Sequence, residues 1–179
     1  MRAGKKSLFI SGFFFLLFLI ASTFCCKSTS TAPEVEVPEQ EQTSITITCS
    51  PSSGGTDTNF SVLVSINNVD REIKVFGLEV KFDADKLKFR RIEAGNLTES
   101  WTAVDGNEIS NGTLRVGGFV GSANPIVQGT TGIIAEIKLK VMGTNFNDGQ
   151  QSKICIENYT DDIADMTPLP SCANFTLQK

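Results

Sequence analysis

Residues 77–92 read GLEVKFDADKLKFRRI, and this stretch decides the fold. Leu78, Val80 and Phe82 recur at every second position, with Glu79 and Lys81 between them. Alternation at period two marks a strand with one buried face and one wet face. Asp83-Ala84-Asp85-Lys86 interrupts the alternation. A carboxylate at Asp83 accepts hydrogen bonds from backbone N–H groups two or three residues on, which closes a tight turn. Leu87, Phe89 and Ile92 then resume an apolar run. The unit is a strand, an Asp-started turn and an extended segment returning toward the core.

The same pattern continues on both sides. Phe60, Val62, Val64 and Ile66 share a face. Ile133, Ala135, Ile137, Leu139 and Val141 alternate with Glu136, Lys138 and Lys140, and Ile154 and Ile156 point away from Cys155. No long segment carries apolar residues at helical period. Nine strands are predicted, near residues 45–49, 60–66, 76–82, 87–94, 101–104, 113–120, 132–141, 154–159 and 175–177. Turn residues separate them, at Ser53-Gly54-Gly55, Asp105-Gly106, Asn111-Gly112 and Asp148-Gly149. Many short strands at this spacing imply an all-β antiparallel sandwich.

The N-terminal region reads differently. Arg2, Lys5 and Lys6 precede an uncharged, Phe- and Leu-rich run that ends at Phe24. This is the layout of an export signal over residues 1–25. Cys25-Cys26 follows at once, which points to lipid attachment at Cys26. Simple secretion and an uncleaved membrane anchor stay open beside it. Residues 26–43 are rich in Ser, Thr, Pro, Glu and Gln and cannot bury enough surface to order themselves, so they read as a disordered tether. Residues 44–179 form the domain. The expected location is the cell envelope or the exterior, with the membrane touched only through the N-terminal anchor.

Composition excludes much chemistry. The chain has 179 residues, a formal charge of −4 and no histidine. Loss of the leader would make it more acidic still, so nucleic acid is a poor partner. Without histidine there is no Ser-His-Asp or Cys-His arrangement and no His-ligated metal site. Carboxylates cluster at Asp83/Asp85 and at Asp161/Asp162/Asp165. Paired carboxylates can serve glycoside hydrolysis or calcium, but on the turns of a sandwich they read as turn formers and solvated charge. The expectation is a protein with no catalytic residues, no metal and no cofactor. Trp101 and Tyr159 are the only Trp and Tyr, too few for a sugar-stacking platform, and Trp101 reads as half-buried. Sequons stand at Asn59, Asn96, Asn111, Asn158 and Asn174. The glycines at 112, 117, 118 and 121 lie in a strand-like segment and read as close packing or bulges.

FDADKL after the strand at 76–82 resembles the "YDP-x-x-L" signature of cohesin domains. DTNFSVLVSINNV at 57–69 resembles that family's second strand, and AGNL at 94–97 its "x-G-D/N-L" step. NGTLRVGGFV at 111–120, TGIIAEIKLKV at 131–141 and NYTDDIAD at 158–165 resemble three later elements. The resemblance covers nearly all of residues 44–179. It implies a nine-stranded jelly-roll sandwich, related to several carbohydrate-binding modules, that binds a protein and performs no chemistry. The partner it implies is a dockerin or dockerin-like protein, in a setting of polysaccharide degradation. The family's polar recognition residues fall here at Val75 and Gly77, and its acidic one near Gly121, so the carry-over is incomplete. Partner recognition is instead expected at Glu79, Lys81 and Arg115, which alternate outward. Two alternatives remain: a carbohydrate-binding module with a polysaccharide partner, and a structural envelope or adhesin subunit.

The domain has three cysteines, Cys49, Cys155 and Cys172. Export places them where paired cysteines bridge, and three cannot all pair. Cys155 and Cys172 flank a long polar segment, and closing it stabilises by about 3 kcal/mol in the chain-entropy account. Cys155–Cys172 is the favoured pair. In the family topology the first and last strands run side by side, which makes Cys49–Cys155 its rival.

Overall fold

The computed structural model describes residues 42–143 and 145–179. The leader, Cys26 and all but the last two tether residues lie outside the described residues. Thr43, assigned by sequence to the tether, is buried: its hydroxyl donates to Asn68 O at 2.8 Å and accepts from the Asp70 N–H at 2.8 Å.

The described chain is all β. Its strands are β1 (Ser44–Ser50), β2 (Ser53–Gly54), β3 (Asn59–Asn67), β4 (Val75–Lys81), β5 (Leu87–Ala94), β6 (Ala103–Ser110), β7 (Thr113–Phe119), β8 (Gly132–Val141), β9 (Gln151–Asp161) and β10 (Ser171–Leu177). Two sheets face each other as a sandwich. One has the order β1-β3-β8-β5, the other β2-β10-β9-β4-β7-β6. There are ten strands rather than nine, because Ser53 and Gly54, expected in a turn, pair parallel to β10. Every other strand pairing is antiparallel.

The expected alternation supplies the core. Phe60, Val62, Val64 and Ile66 on β3 are buried, as are Ala135, Ile137, Leu139 and Val141 on β8. Ile133, expected on that face, is only partly buried and Ile134 is buried in its place, because the register with β3 shifts between Val64 and Ser65. From the other sheet come Phe76, Leu78, Val80, Leu114, Val116, Ile154, Ile156 and Phe175. Phe60 and Phe175 stack across the sandwich with ring centroids 3.9 Å apart. Each of these Val, Leu, Ile and Phe side chains stabilises by about 1.5–3 kcal/mol when buried. The Asp83 turn closes as expected: Asp83 Oδ1 accepts from Asp85 N–H at 3.1 Å, and its carbonyl accepts from Leu87 N–H at 2.8 Å.

The segment around Trp101 differs from the sequence reading. The strand expected at 101–104 is displaced to β6, because Asp105-Gly106 does not turn. Gly106 runs straight through the ladder opposite Val116, and a Cβ there would meet Arg115 O at 2.6 Å. The hairpin turns instead at Asn111-Gly112, where Gly112 has φ 75° and permits the left-handed backbone. Trp101 therefore precedes the strand and tucks inward. It is 7% exposed rather than half-buried, with its ring 5.7 Å from that of Phe76.

Candidate functional site

The outer face of the six-stranded sheet holds the three residues singled out from sequence. Pairing places Glu79 on β4 directly opposite Arg115 on β7, while Lys81 lies one row on, between Thr113 and Cys155. The rows extend across four strands. Asn158, Glu79, Arg115 and Asn107 form one row, from β9 through β4 and β7 to β6. Thr160, Gly77, Gly117 and Asp105 form the next. Val75, Phe119 and Ala103 form a third. The middle of this face is a shallow groove of about 380 Å³ lined by Gly77, Glu79, Arg115, Gly117, Asn158 and Thr160 among others.

Two features set this face apart. First, its central charges have no ionic partner within the described residues. Glu79, Lys81 and Arg115 make no ion pair, whereas Arg71 binds Asp70 and Asp165, Lys140 binds Asp57, and Lys138 binds Glu93 and Glu136. Second, it exposes apolar surface. Val75 is 38% and Phe119 46% exposed, and they are cross-strand partners. The sequence reading discounted Val75, as an apolar residue at a polar recognition position, and missed Phe119, Asn107 and Asn158. The signal was there: Val75 shares the parity of Glu79, and Phe119 that of Arg115. The sheet order that joins the rows was not readable from any single strand.

The opposite sheet carries charge of another kind. Burial alone would depress the Lys138 ammonium, but hydrogen bonds to Glu136 and Glu93 outweigh it and hold its pKa above the usual range. This network is self-satisfied within the domain.

The carboxylates at 161–165 are occupied by the fold. Asp162 Oδ2 accepts from the N–H groups of Lys74 at 2.7 Å and Val75 at 2.9 Å. Asp165 takes a two-pronged contact from Arg71 Nη1, at 3.0 Å to each oxygen. Together they fasten the end of β9 to the segment that starts β4. Among the described residues no group of three His, Cys, Asp or Glu side chains gathers as a metal site. Tyr159, 3% exposed, donates its hydroxyl proton to Pro168 O at 2.9 Å. With Trp101 also buried, neither is available to stack on a sugar.

Cys155 and Cys172 are register partners on β9 and β10, with Cα atoms 4.1 Å apart and their sulfurs bonded. Cys49 is free, and burial pushes its thiol up to about 11.

The comparisons with known proteins agree with this architecture. The family model "Cohesin domain" matches residues 45–170. The third ScaC cohesin of Acetivibrio cellulolyticus, solved with the ScaB dockerin, is 20% identical with a TM-score of 0.61, covering 77% of this chain and 100% of that one. The OlpA cohesin of Clostridium thermocellum, solved with the dockerin Doc918, is 18% identical with a TM-score of 0.61, covering 76% and 99%. A non-cellulosomal cohesin from the archaeon Archaeoglobus fulgidus is 16% identical with a TM-score of 0.56, covering 77% and 92%. No curated protein sequence matches significantly. The family match spans well over half of the chain, from β1 to the residue before β10, and the chain belongs to the cohesin family.

Proposed function

We propose that this domain is a binding module that receives a dockerin-like protein on the outer face of its six-stranded sheet, and performs no chemistry. The carrying observation is that face itself. Glu79, Lys81 and Arg115 stand there without ionic partners among the described residues, beside an exposed apolar pair, Val75 and Phe119. A protein interface wants this mixture: an apolar or aromatic anchor ringed by charges that select the partner. Two of the similar cohesins above were solved with dockerins, which supports a protein partner of that kind. The leader and Cys26 support export and attachment to the cell envelope by a lipid, with residues 27–43 as spacer.

Calorimetric titration with a panel of calcium-loaded dockerins tests the reading. Binding that Arg115→Glu or Phe119→Asp weakens about tenfold or more supports it. If none binds, and insoluble polysaccharides retain the domain through some other surface, the carbohydrate-binding alternative replaces it. Mass spectrometry of the mature N-terminus tests the anchor: an unmodified N-terminus downstream of Cys26 rules it out.

A further inference from the structure

The outer face of the six-stranded sheet is complementary to itself. Consider a two-fold axis lying in the plane of contact, parallel to the strands and midway between β4 and β7. It exchanges β4 with β7 and β9 with β6. The row Asn158–Glu79–Arg115–Asn107 then meets its own reverse. Each Glu79 faces the second copy's Arg115, and each Asn158 faces the second copy's Asn107. In the next row Gly77, under the Thr160 side chain, faces Gly117, and Thr160, whose hydroxyl donates to Asp161 at 2.9 Å, faces Asp105. In the third row Val75 faces Phe119, the two exposed apolar residues of the strand pair. Acid meets base, amide meets amide and apolar meets apolar. A two-fold contact requires this kind of self-matching patch.

We propose that a second copy of this chain docks on this face, forming a two-fold, face-to-face pair centred on two Glu79–Arg115 contacts. Two observations favour a copy over an unrelated partner. Among the described residues the charges at the centre make no ion pair, yet they are equal and opposite across the axis. The Thr160 side chain leans over Gly77 on the next strand, but Gly117 keeps its part of the middle low, since a Cβ there would meet only Phe76 O, at 3.1 Å. Sheets can therefore approach toward the usual separation of about 10 Å.

Area sets the strength. Four strands of about seven residues give a footprint of roughly 19 Å by 23 Å, or about 440 Å². Stable complexes bury about 800 Å² per partner. The pair is therefore weak and concentration-dependent. It uses the face proposed above for a dockerin-like protein, so the two occupants exclude each other. The inference does not rest on that reading, because it is tested with this chain alone.

The test is sedimentation velocity of the full chain in a non-ionic detergent, with micelles in large excess over protein. The wild-type chain should associate reversibly as its concentration rises. Glu79→Arg and Arg115→Glu should each weaken association by about tenfold or more, since each puts like charges face to face. The double variant Glu79→Arg/Arg115→Glu should restore it. An equimolar mixture of the two single variants should associate where neither does alone, because all charge pairs are then opposite. Circular dichroism melts of each variant show whether it is folded. A wild-type chain that stays monomeric up to about millimolar concentration, the range of weak contacts, overturns the proposal. So does association that the single substitutions leave unchanged, or a mixture that fails to associate.

Discussion

Asn96 Oδ1 accepts a hydrogen bond of 2.7 Å from the backbone N–H of Ile133, 37 residues further on. This one contact ties the loop after β5 to the start of β8. Its neighbours reinforce it: the Thr98 hydroxyl donates to Ile134 O at 2.7 Å and accepts from Gly95 N–H at 3.0 Å. Asn96→Ala should cost about 1 kcal/mol through the lost acceptor. Gly95→Ala should cost more, about 1–3 kcal/mol, because the new Cβ would lie 2.2 Å from Ile133 O. Urea unfolding of both variants measures the order, and the reverse order would contradict this account.

Ile137 is fully buried on β8, between β3 and β5. Ile137→Asp would set an unpartnered carboxylate in an apolar interior. The expected cost exceeds about 4 kcal/mol, a large part of the 5–15 kcal/mol that holds a domain of this size together. Far-ultraviolet circular dichroism should show an unfolded or aggregated product at room temperature.

The Cys155–Cys172 bridge closes a 17-residue separation. Cys155→Ser/Cys172→Ser should lower stability by about 3 kcal/mol. A reducing agent should have the same effect on the wild-type chain and none on the variant. Chemical denaturation with and without reductant checks both halves.

Cys49 sits where burial raises its thiol to about 11, against an ordinary value of 9.0. The folded domain thus prefers the protonated thiol. That contribution is complete below pH 9 and is lost as the pH climbs from 9 toward 11. Burial shifts the Tyr159 phenol upward too, so it acts in the same direction. Stability should fall at alkaline pH, and Cys49→Ala should flatten the first part of that fall. In the folded wild-type chain, Cys49 should react with a thiol reagent at pH 8 far more slowly than in denaturant.

Lys81 and Arg115 contribute little to the fold, because neither has an ionic partner within the described residues. Lys81→Ala and Arg115→Ala should each change stability by no more than about 0.5 kcal/mol. A thermal shift of several degrees in either variant would mean that these charges serve the structure.

Local chemistry was the legible part of this molecule. The inward residues of β3, those of β8 from Ala135 to Val141, and the closure at Asp83 depend on neighbours two to four residues away, and they were readable for that reason; the register shift that buries Ile134 instead of Ile133 depends on β3 and was not. The same holds for the outward placement of Glu79, Lys81 and Arg115. Trp101 was not legible, because its burial depends on Phe76 from another strand and on a hairpin that turns at Gly112 instead of Asp105-Gly106. Nor were the roles of Asp162 and Asp165. Their partners, the Lys74 and Val75 N–H groups and Arg71, lie 87 to 94 residues away in sequence. The candidate face was half visible: each strand disclosed which residues point outward, and only the sheet order made rows of them.

The chain enters the described domain through β1, an edge strand of the smaller sheet, while the candidate face belongs to the larger one. A pull between a ligand on that face and residue 42 therefore cannot travel along one hydrogen-bonded ladder. It must pass through the packed side chains between the layers, Phe60 against Phe175 among them. At its origin the load meets Ser44–Ser50, paired residue for residue with β3 and pinned at Ile45 to Thr167 O at 3.1 Å. A tug directed along β1 would load these contacts together in shear rather than unzip them one by one.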